Sequence, residues 1–324
     1  MGFAIAAAQP GGPEVLHPVE VPEAAPEAGE VRVQHKAIGV NFIDIYFRSG
    51  LYPWPVERDL ILGSEAAGIV TAVGAGVTGL KAGDRVAYTL PNGAYVTARN
   101  IAAKHLVLLP DTVADEMAAA AMLKGLTAHY LLHRSSQVRA GDTVLFHAAA
   151  GGVGTIAGQW LAAKGVRAIG TAGGPEKCAQ ARANGFSDVI DYRREDFVER
   201  VRDLTGGDGV DVVYDSVGRD TLKGSLSCLK TFGTLVNFGQ SSGPVEDFSP
   251  ADLAAGSFTM TRPVLFHFTA EPGWLQAASA DLFALIADGA LKIGINQRYA
   301  LAKAADAHRA LEARQTTGST ILIP

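Results

Sequence analysis

The sequence is poor in several features that mark particular classes of protein. It holds only 2 cysteines, Cys178 and Cys228, which stand far apart and outside any metal-ligand spacing with a histidine. That scarcity argues against a disulfide framework and favours two buried thiols in a reducing compartment. No apolar run reaches the ~18 residues that a membrane span needs. The apolar start, Met1–Gln9, lacks the basic residues of a signal peptide, so we expect a first strand and a cytoplasmic protein.

Positive charge is also scarce. The chain has 28 Lys+Arg against 33 Asp+Glu, a net charge of -5, and no basic block with aromatic residues between the charges. This balance argues against a nucleic-acid partner. Its 324 residues and 48% hydrophobic content are enough for two full-sized domains.

A glycine-rich turn carries the clearest positive signal. An apolar run from Thr143 to Phe146 is followed by the pattern Ala149-x-Gly151-x-x-Gly154 and by a helical run from Gly152 to Lys164. Strand, tight turn and helix in this order place a pyrophosphate on the backbone N–H groups of a helix N-terminus. The spacing predicts dinucleotide binding by Gly151, Gly152 and Val153, and the alternative is a tight turn that binds no ligand.

The next strand, Val166–Thr171, indicates which dinucleotide is bound. An NAD site carries an acidic residue about 20 residues past the glycines, yet this strand is followed by Ala172, Gly173 and Gly174, with no carboxylate before Glu176. Lys177 and Tyr192 stand where a 2′-phosphate needs a cation and a hydroxyl, so the sequence favours NADP. Lys177 could instead be a solvated lysine at the start of a helix.

The chain changes character along its length. Residues 1–124 are β-rich and irregular, residues 125–264 alternate strands and helices, and residues 265–324 contain two amphipathic helices and a closing strand. The alternation is typical of an α/β domain with a doubly wound parallel sheet. A segment near Phe258–Thr261 is a candidate sixth strand of that sheet.

Several motifs occur in a recognisable order. They are Gly39-Val-Asn-Phe-Ile-Asp44, Tyr46-x-Arg-Ser-Gly-Leu-Tyr52, Gly63-Ser-Glu-Ala-Ala-Gly-Ile-Val70, Lys81-Ala-Gly-Asp-Arg-Val86, Leu123-Lys-Gly-Leu-Thr127, His147-Ala-Ala-Ala-Gly-Gly-Val-Gly154 and Tyr214-Asp-Ser-Val-Gly218. Together they resemble the zinc-independent quinone oxidoreductases, zeta-crystallin-like members of the medium-chain dehydrogenase/reductase superfamily. The resemblance implies a GroES-like catalytic domain made from residues 1–124 and 265–324, with a Rossmann NADP-binding domain of residues 125–264 inserted in it. It also implies an active site in the cleft between the domains and a homodimer.

The resemblance also indicates where zinc-dependent relatives hold their catalytic metal. Those positions match Asn41, Ser64 and about Leu123 in this chain, and amide, hydroxyl and alkyl groups cannot replace thiolate and imidazole around Zn²⁺. We therefore expect a reaction without metal.

The resemblance further implies roles for particular residues. Asn41, Tyr46 and Tyr52 are the candidate catalytic residues, with Asn41 bonded to the cofactor or the acceptor and the tyrosines against a flat substrate; Tyr52 could instead be a loop-packing aromatic residue. The expected contacts to NADPH are Asn41, Thr127, Gly151, Gly152, Val153, Gly173, Lys177, Tyr192, Ser216, Phe238, Gly239, Ser241 and Thr317. His147, beside the glycine turn, is expected to be structural.

Three functions fit these observations. The first is NADPH-dependent reduction of quinones without metal, and the second is NADPH-dependent reduction of alkenals or enones, which also present a flat conjugated carbonyl. The third is a cofactor-binding protein with a structural or RNA-binding role. For the homodimer, Phe258–Thr261 and Pro263–Phe268 have the β-propensity of an edge at which two sheets could join, although both could equally be internal.

Overall fold

The computed structural model describes residues 2–324, which form two compact units. Unit 1 comprises the chain up to Leu126 together with Thr269–Gly289 and Ile293–Pro324, and unit 2 comprises Thr127–Phe268 and Ala290–Lys292. Among the helices of residues 2–324, none combines the length and the apolar character needed to cross a bilayer.

Unit 1 is built on antiparallel strands. Its larger sheet has seven strands in the order β15-β16-β3-β5-β6-β8, with β7 pairing β3, and a smaller sheet has the order β2-β1-β4. The strands are β1 Gly2–Ala7, β2 Leu16–Val21, β3 Glu30–Val40, β4 Leu60–Ile61, β5 Glu65–Val73, β6 Arg85–Thr89, β7 Ala98–Ala102, β8 Val107–Leu108, β15 Ile295–Ala300 and β16 Ser319–Ile323.

Distant parts of the chain complete the larger sheet together. In β3, Ile38, Gly39 and Val40 pair antiparallel with Leu322, Ile321 and Thr320 of β16. Alternate residues of β3, such as Val31 and Val33, are fully buried, as expected for a strand with one face on a core. The helices of this unit are α1 Phe42–Arg48, most of α2 Asp115–Tyr130, α8 Trp274–Ala287 and α9 Ala304–Glu312.

Unit 2 contains the predicted parallel sheet. Its six strands run in the order β11-β10-β9-β12-β13-β14, and every adjacent pair is parallel. The strands are β9 Thr143–Phe146, β10 Arg167–Ala172, β11 Asp188–Asp191, β12 Val210–Asp215, β13 Leu229–Asn237 and β14 Thr259–Thr261, and the helices are α3 Gly152–Ala163, α4 Pro175–Ala183, α5 Phe197–Leu204, α6 Leu222–Ser227 and α7 Leu265–Thr269. The doubly wound α/β fold, with a β-rich partner, is confirmed.

Buried apolar side chains explain why the strands of unit 2 read as continuous apolar runs. Leu145, Ile169, Val213 and Leu235 lie on four adjacent strands and are all fully buried. Strands covered on both faces by helices lose the polar alternation of a half-exposed sheet. Cys178 and Cys228 are free, buried thiols, as the sequence predicted.

One predicted strand is wrong. β14 is indeed the sixth strand and lies at an edge of the sheet, but Pro263–Phe268 is not strand, because the chain turns into α7 at Leu265. Proline lacks the N–H that a further ladder would need, so the strand ends before it despite the β-propensity of the residues that follow.

Candidate functional site

The glycine turn of unit 2 connects β9 to α3 in a conformation that requires glycine. A Cβ at Gly154 would lie 2.5 Å from the carbonyl oxygen of Ala148 and 2.7 Å from that of Ala149. Gly151 is the extended N-cap of α3, and its helix has no side-chain cap. The N–H groups of Gly152 and Val153 are therefore first-turn donors without a capping side chain, which is the arrangement that binds an anion.

The position of this turn in the sheet adds to that interpretation. β9 lies between β10 and β12, so the chain leaves it toward one edge of the sheet and later returns on the other side. Ligands of doubly wound folds bind outside the carboxyl ends of the strands at such a switch point. The glycine turn begins at this end of β9.

The loops after β10 and β11 bring a second group of predicted residues together. A Cβ at Gly173 would lie 2.5 Å from the hydroxyl oxygen of Tyr192 and 3.2 Å from Nε of Arg193. Lys177 stands in the first turn of α4, directly after these glycines, and is half-buried. The phenol of Tyr192 and the guanidinium of Arg193 thus lie beside Gly173, where no side chain blocks a ligand, and Lys177 follows in the next helix.

A carboxylate also lies here, although its oxygens have backbone partners. Asp191, the last residue of β11, accepts the N–H of Gly174 at 2.8 Å and that of Arg193 at 3.2 Å. These bonds, the Gly174 N–H first among them, lower the pKa of Asp191. The carboxylate therefore connects the turn at Gly174 to the loop that follows β11.

Predicted cofactor contacts also meet at the carboxyl ends of β12 and β13. The N–H of Ser241 donates to the carbonyl oxygen of Ser216 at 3.1 Å, and a Cβ at Gly239 would lie 2.7 Å from the same oxygen. The ring of Phe238 lies 5.8 Å from that of Phe146, measured between centroids. The two loops are close enough to present one surface.

His147 has a structural environment. Its Nδ1 lies 3.0 Å from Oγ1 of Thr171 and its Nε2 lies 3.0 Å from Oγ of Ser225, and the ring is buried. Burial lowers the pKa of His147, and the charge of Asp215 opposes that shift. A neutral ring with both nitrogens bonded suits packing, as predicted, and not proton transfer.

In unit 1, Asn41 belongs to a buried polar cluster that the sequence did not reveal. Its Nδ2 donates to Oε1 of Glu65 at 2.9 Å, and Nζ of Lys124 lies 2.5 Å from the same oxygen. The backbone N–H of Leu123 donates to Oε2 of Glu65 at 2.6 Å. Three segments, from α1, α2 and β5, therefore meet on one carboxylate. We call Asn41, Glu65 and Lys124 the carboxylate cluster.

A missing side chain makes room for this cluster. A Cβ at Gly39 would overlap the Glu65 carboxylate and lie 2.5 Å from the carbonyl oxygen of Ala119. Glycine at this position of β3 lets the carboxylate reach α2. The only hint in the sequence is a lysine within the alanine-rich run of α2 and a glutamate before the small residues of β5.

A second buried chain of polar groups begins at Asp44, in the first turn of α1. Oδ1 of Asp44 accepts from Ser64 Oγ at 2.7 Å, and its Oδ2 accepts from the Tyr95 hydroxyl at 3.1 Å and from the Asn41 N–H at 2.8 Å. The Tyr95 oxygen lies 2.9 Å from Nε2 of His308. Burial raises the pKa of Asp44 to about 7 and lowers that of His308 to about 3, so both are largely neutral near pH 6.

The two candidate tyrosines lie together. Tyr46 is buried in α1, and its ring centroid is 5.2 Å from that of Tyr52, whose backbone N–H donates to the carbonyl oxygen of Tyr46. The Tyr52 ring also meets Phe47 edge-on at 5.5 Å. The structure thus brings both predicted aromatic residues into one group, on and beside the helix that Asn41 caps.

Two predicted residues remain, Thr127 and Thr317. Thr127 is buried in α2 and is the first residue of unit 2, three positions after Lys124. Thr317 precedes β16, and its hydroxyl accepts from Nδ2 of Asn296 at 2.8 Å. A cavity of about 680 Å³ in unit 1, between α8 and the loops around Leu80 and Leu106, contains none of the predicted site residues.

Two sequence patterns of other enzyme classes lack the structure that those classes need. His129 and His133 are four residues apart with ring centroids at 4.7 Å, but residues 2–324 contain no group of three His, Cys, Asp or Glu side chains that could hold a metal. The string Gly239-Gln-Ser-Ser-Gly243 has the form of a nucleophile elbow, which requires a helix after the serine. Here β13 leads into an irregular loop instead.

Comparisons with known proteins agree with this geometry. The chain matches the alcohol dehydrogenase GroES-like domain over residues 27–140 and the zinc-binding dehydrogenase family over residues 184–322. It is 52% identical over 316 residues to a quinone oxidoreductase of Pseudomonas aeruginosa, with 97% of each chain covered. It is 42% identical over 322 residues to a 2-haloacrylate reductase of a Burkholderia species, with 97% and 96% covered. The crystal structure of Escherichia coli quinone oxidoreductase complexed with NADPH matches with a TM-score of 0.96 at 48% identity, covering 99% of this chain and 100% of that one.

Proposed function

The chain belongs to the quinone oxidoreductases of the medium-chain dehydrogenase/reductase superfamily, and from this premise we propose that it uses NADPH to reduce quinones without a metal. The single observation that carries the proposal is the combination of the uncapped glycine turn of α3 with the cationic loop around Gly173. The first binds a pyrophosphate and the second a 2′-phosphate. A relative whose crystal structure contains NADPH supports this assignment.

The residues present fit the cofactor. Gly151, Gly152 and Val153 would hold the pyrophosphate through backbone N–H groups, and Gly154 lets the helix approach because any side chain would strike the turn. Gly173 leaves space beside Tyr192, where Lys177 and Arg193 would bind the 2′-phosphate. Ser216, Phe238, Gly239 and Ser241 would line the same side, and Thr127 and Thr317 are further proposed contacts. When bound, NADPH supplies a hydride from its dihydronicotinamide ring.

The catalytic part of the proposal lies in unit 1. Asn41 would orient the cofactor or the acceptor through its amide, which Glu65 holds in place. Tyr46 and Tyr52 would pack against a flat acceptor and keep water from it, since two adjacent aromatic rings present a broad apolar surface. A quinone is readily reduced, and positioning and exclusion of water are two contributions that these residues would make.

Steady-state kinetics tests the proposal. Purified protein treated with a chelator is given NADPH and a para- or ortho-quinone, with NADH in a parallel reaction. We expect turnover with quinones, retained after chelation and faster with NADPH. Loss of turnover on chelation that returns with zinc would contradict a reaction without metal, and equal use of NADH would contradict the 2′-phosphate site.

A second candidate function has its own support. The 42% identical 2-haloacrylate reductase acts, by its name, on a conjugated carbonyl compound, so reduction of alkenals or enones is the alternative. In that reaction hydride goes to the β-carbon, and a proton donor near the carbonyl oxygen assists it. Comparing kcat/KM for a medium-chain 2-enal with that for a quinone, on the same preparation, distinguishes the two functions.

Two further parts of the proposal concern assembly and domain roles. We assign catalysis to unit 1 and cofactor binding to unit 2. We also propose a homodimer in which two sheets join along β14, an edge strand of residues Thr259–Thr261. Analytical ultracentrifugation tests the dimer. The substitution Met260→Pro removes a backbone N–H from β14, so it should shift the protein toward monomer if this strand forms the interface.

A further inference from the structure

The carboxylate cluster holds an ammonium group in a fixed place. Nζ of Lys124 and Nδ2 of Asn41 both bind Oε1 of Glu65, at 2.5 and 2.9 Å, so the two nitrogens are neighbours. Lys124 is 5% exposed and Glu65 fully buried. The ammonium has three N–H donors, and the Glu65 oxygen accepts one of them.

Stability alone does not account for this pair. Removing two charges from water is costly, and a buried ion pair is often no more stabilising than apolar residues of similar volume. The neighbours of Lys124 in α2 are small and apolar, with Ala119, Ala120, Ala121 and Met122 all fully buried. An apolar residue at position 124 would pack well in such a helix. The presence of a lysine there therefore indicates a role in the reaction.

The construction around Glu65 points the same way. Its second oxygen accepts a backbone N–H in the middle of α2, a donor that ordinarily bonds the carbonyl four residues earlier. The approach also requires the absence of a side chain at Gly39. Bonds from α1 and α2 therefore fix the carboxylate, and the carboxylate in turn fixes the ammonium beside Asn41.

We propose that Lys124 is the acid of the reduction and that Glu65 is the residue that positions it. The inference rests on the proposed function, in which Asn41 contacts the acceptor. The acceptor gains one hydride from the cofactor, and this hydride carries the two electrons that the cofactor loses. Its carbonyl oxygen then takes a proton from Nζ, so an O–H bond forms as an N–H bond breaks. The neutral amine stays bonded to Glu65 and regains its proton from water.

Other groups could in principle provide the proton. Tyr46 and Tyr52 carry phenols, and Asp44, on the same helix as Tyr46, is a buried acid. Asp44 is fully buried and enclosed by Ser64, Tyr95 and the N–H of Asn41, so an acceptor cannot reach its oxygens. The tyrosines remain the real competitors, so the test includes them.

The experiment compares Lys124→Met, Lys124→Arg, Tyr46→Phe and Tyr52→Phe with the wild-type protein. A general acid contributes roughly 10²–10⁴-fold to a rate, so we expect kcat of Lys124→Met to fall at least ~100-fold while the Kd for NADPH changes less than about threefold. Lys124→Arg keeps the charge but cannot release a proton, so its kcat should fall by a similar factor. Tyr46→Phe and Tyr52→Phe should each change KM for the quinone more than kcat.

Chemical rescue separates an acid from a structural lysine. Methylamine added to Lys124→Ala should restore part of kcat, with a solvent deuterium isotope effect on the rescued rate. Glu65→Gln should lower kcat less, about tenfold, since the amine remains but is poorly placed. A matched control is Glu312→Gln, which weakens the ion pair that Glu312 forms with the buried Arg48 and should lower Tm while leaving kcat unchanged.

Each outcome has one meaning. If Lys124→Met and Lys124→Arg keep kcat within about threefold, or if Tyr46→Phe or Tyr52→Phe carries the loss instead, Lys124 is not the acid. If Lys124→Met fails to fold, Lys124→Arg and amine rescue decide, and an absence of rescue overturns the proposal. If the wild-type protein reduces enals and no quinone, the proposed function fails while the same variants test Lys124 on the enal. Turnover with neither acceptor overturns both.

Discussion

In unit 1 a lysine binds the fully buried Glu65, whereas in unit 2 neutral hydrogen-bond donors surround the fully buried Asp215. Asp215 accepts the N–H groups of Val217 and Gly218 and the hydroxyls of Thr221 and Ser225, at 2.8–3.0 Å. These donors shape the loop at the carboxyl end of β12. The buried charge of unit 2 therefore serves loop geometry, while that of unit 1 holds a second charge in place.

Among the tests of this comparison, Asp215→Ala should cause the largest loss of stability. Removing the carboxylate leaves several buried donors without an acceptor, and each such loss costs about 1–3 kcal/mol, so we expect roughly 3–5 kcal/mol of destabilisation. Urea unfolding followed by circular dichroism measures it. Ser225→Ala, which removes one donor, should cost about 1 kcal/mol. Equal losses in the two variants would show that Asp215 does not organise the loop.

The pH dependence of unit 1 provides the next test. Because the pKa of Asp44 is raised to about 7 in the folded protein, the folded state binds a proton that the unfolded state releases above about pH 4. Its contribution to stability is complete below about pH 4 and is lost as the pH rises to about 7. Asp44→Asn removes this loss, so the stability of the variant relative to wild type should rise over that window, by on the order of 1 kcal/mol per pH unit.

The substitution Asp44→Asn also removes hydrogen-bond acceptors and so lowers stability at every pH. The raised pKa of Asp44 is therefore tested by how the difference in unfolding free energy between variant and wild type changes with pH. His308 changes in the opposite sense: its pKa of about 3 makes stability rise between about pH 3 and 6.5. That effect is common to both proteins and cancels in the difference. Denaturant unfolding at several pH values measures the slope, and a pH-independent difference would contradict the raised pKa.

A smaller effect concerns the cofactor side of unit 2. Replacing Lys177 and Arg193 together by alanine removes the cations proposed for the 2′-phosphate, so the Kd for NADPH should rise about 10–100-fold. The Kd for NADH should change little. Fluorescence titration with both dinucleotides measures the ratio, with Arg167→Ala, a half-exposed arginine at the amino end of β10, as the control. A parallel loss of NADH affinity would indicate a general fault in the fold.

The smallest effect is expected at Ala148. This exposed residue of the glycine turn has a left-handed backbone with φ 55°, which glycine adopts more easily. Ala148→Gly should stabilise the protein by on the order of 0.5 kcal/mol, because relief of strain exceeds the added entropy of the unfolded chain. Thermal unfolding measures it, and Ala150→Gly, at a buried position without positive φ, should destabilise.

Features formed by residues close together in the sequence could be predicted, whereas contacts between residues far apart in the sequence could not. The glycine turn is predictable because strand, turn and helix follow one another within about twenty residues, and the structure has each of them. Lys124 and Glu65 are 59 positions apart, and no local pattern connects them. The error at Pro263–Phe268 has the opposite cause, since local β-propensity was given more weight than a proline that ends the ladder.

The pairing of β16 with β3 has a consequence for biosynthesis. Unit 2 is nearly continuous in sequence and can fold as soon as it leaves the ribosome, because domains generally fold as units during synthesis. Ile38–Val40, the end of β3 that leads into Asn41, waits for a partner until β16 has been made, after all of unit 2. During that interval the nascent chain carries an open strand edge of the kind that aggregates. The segment next to Asn41 is thus among the last to be completed.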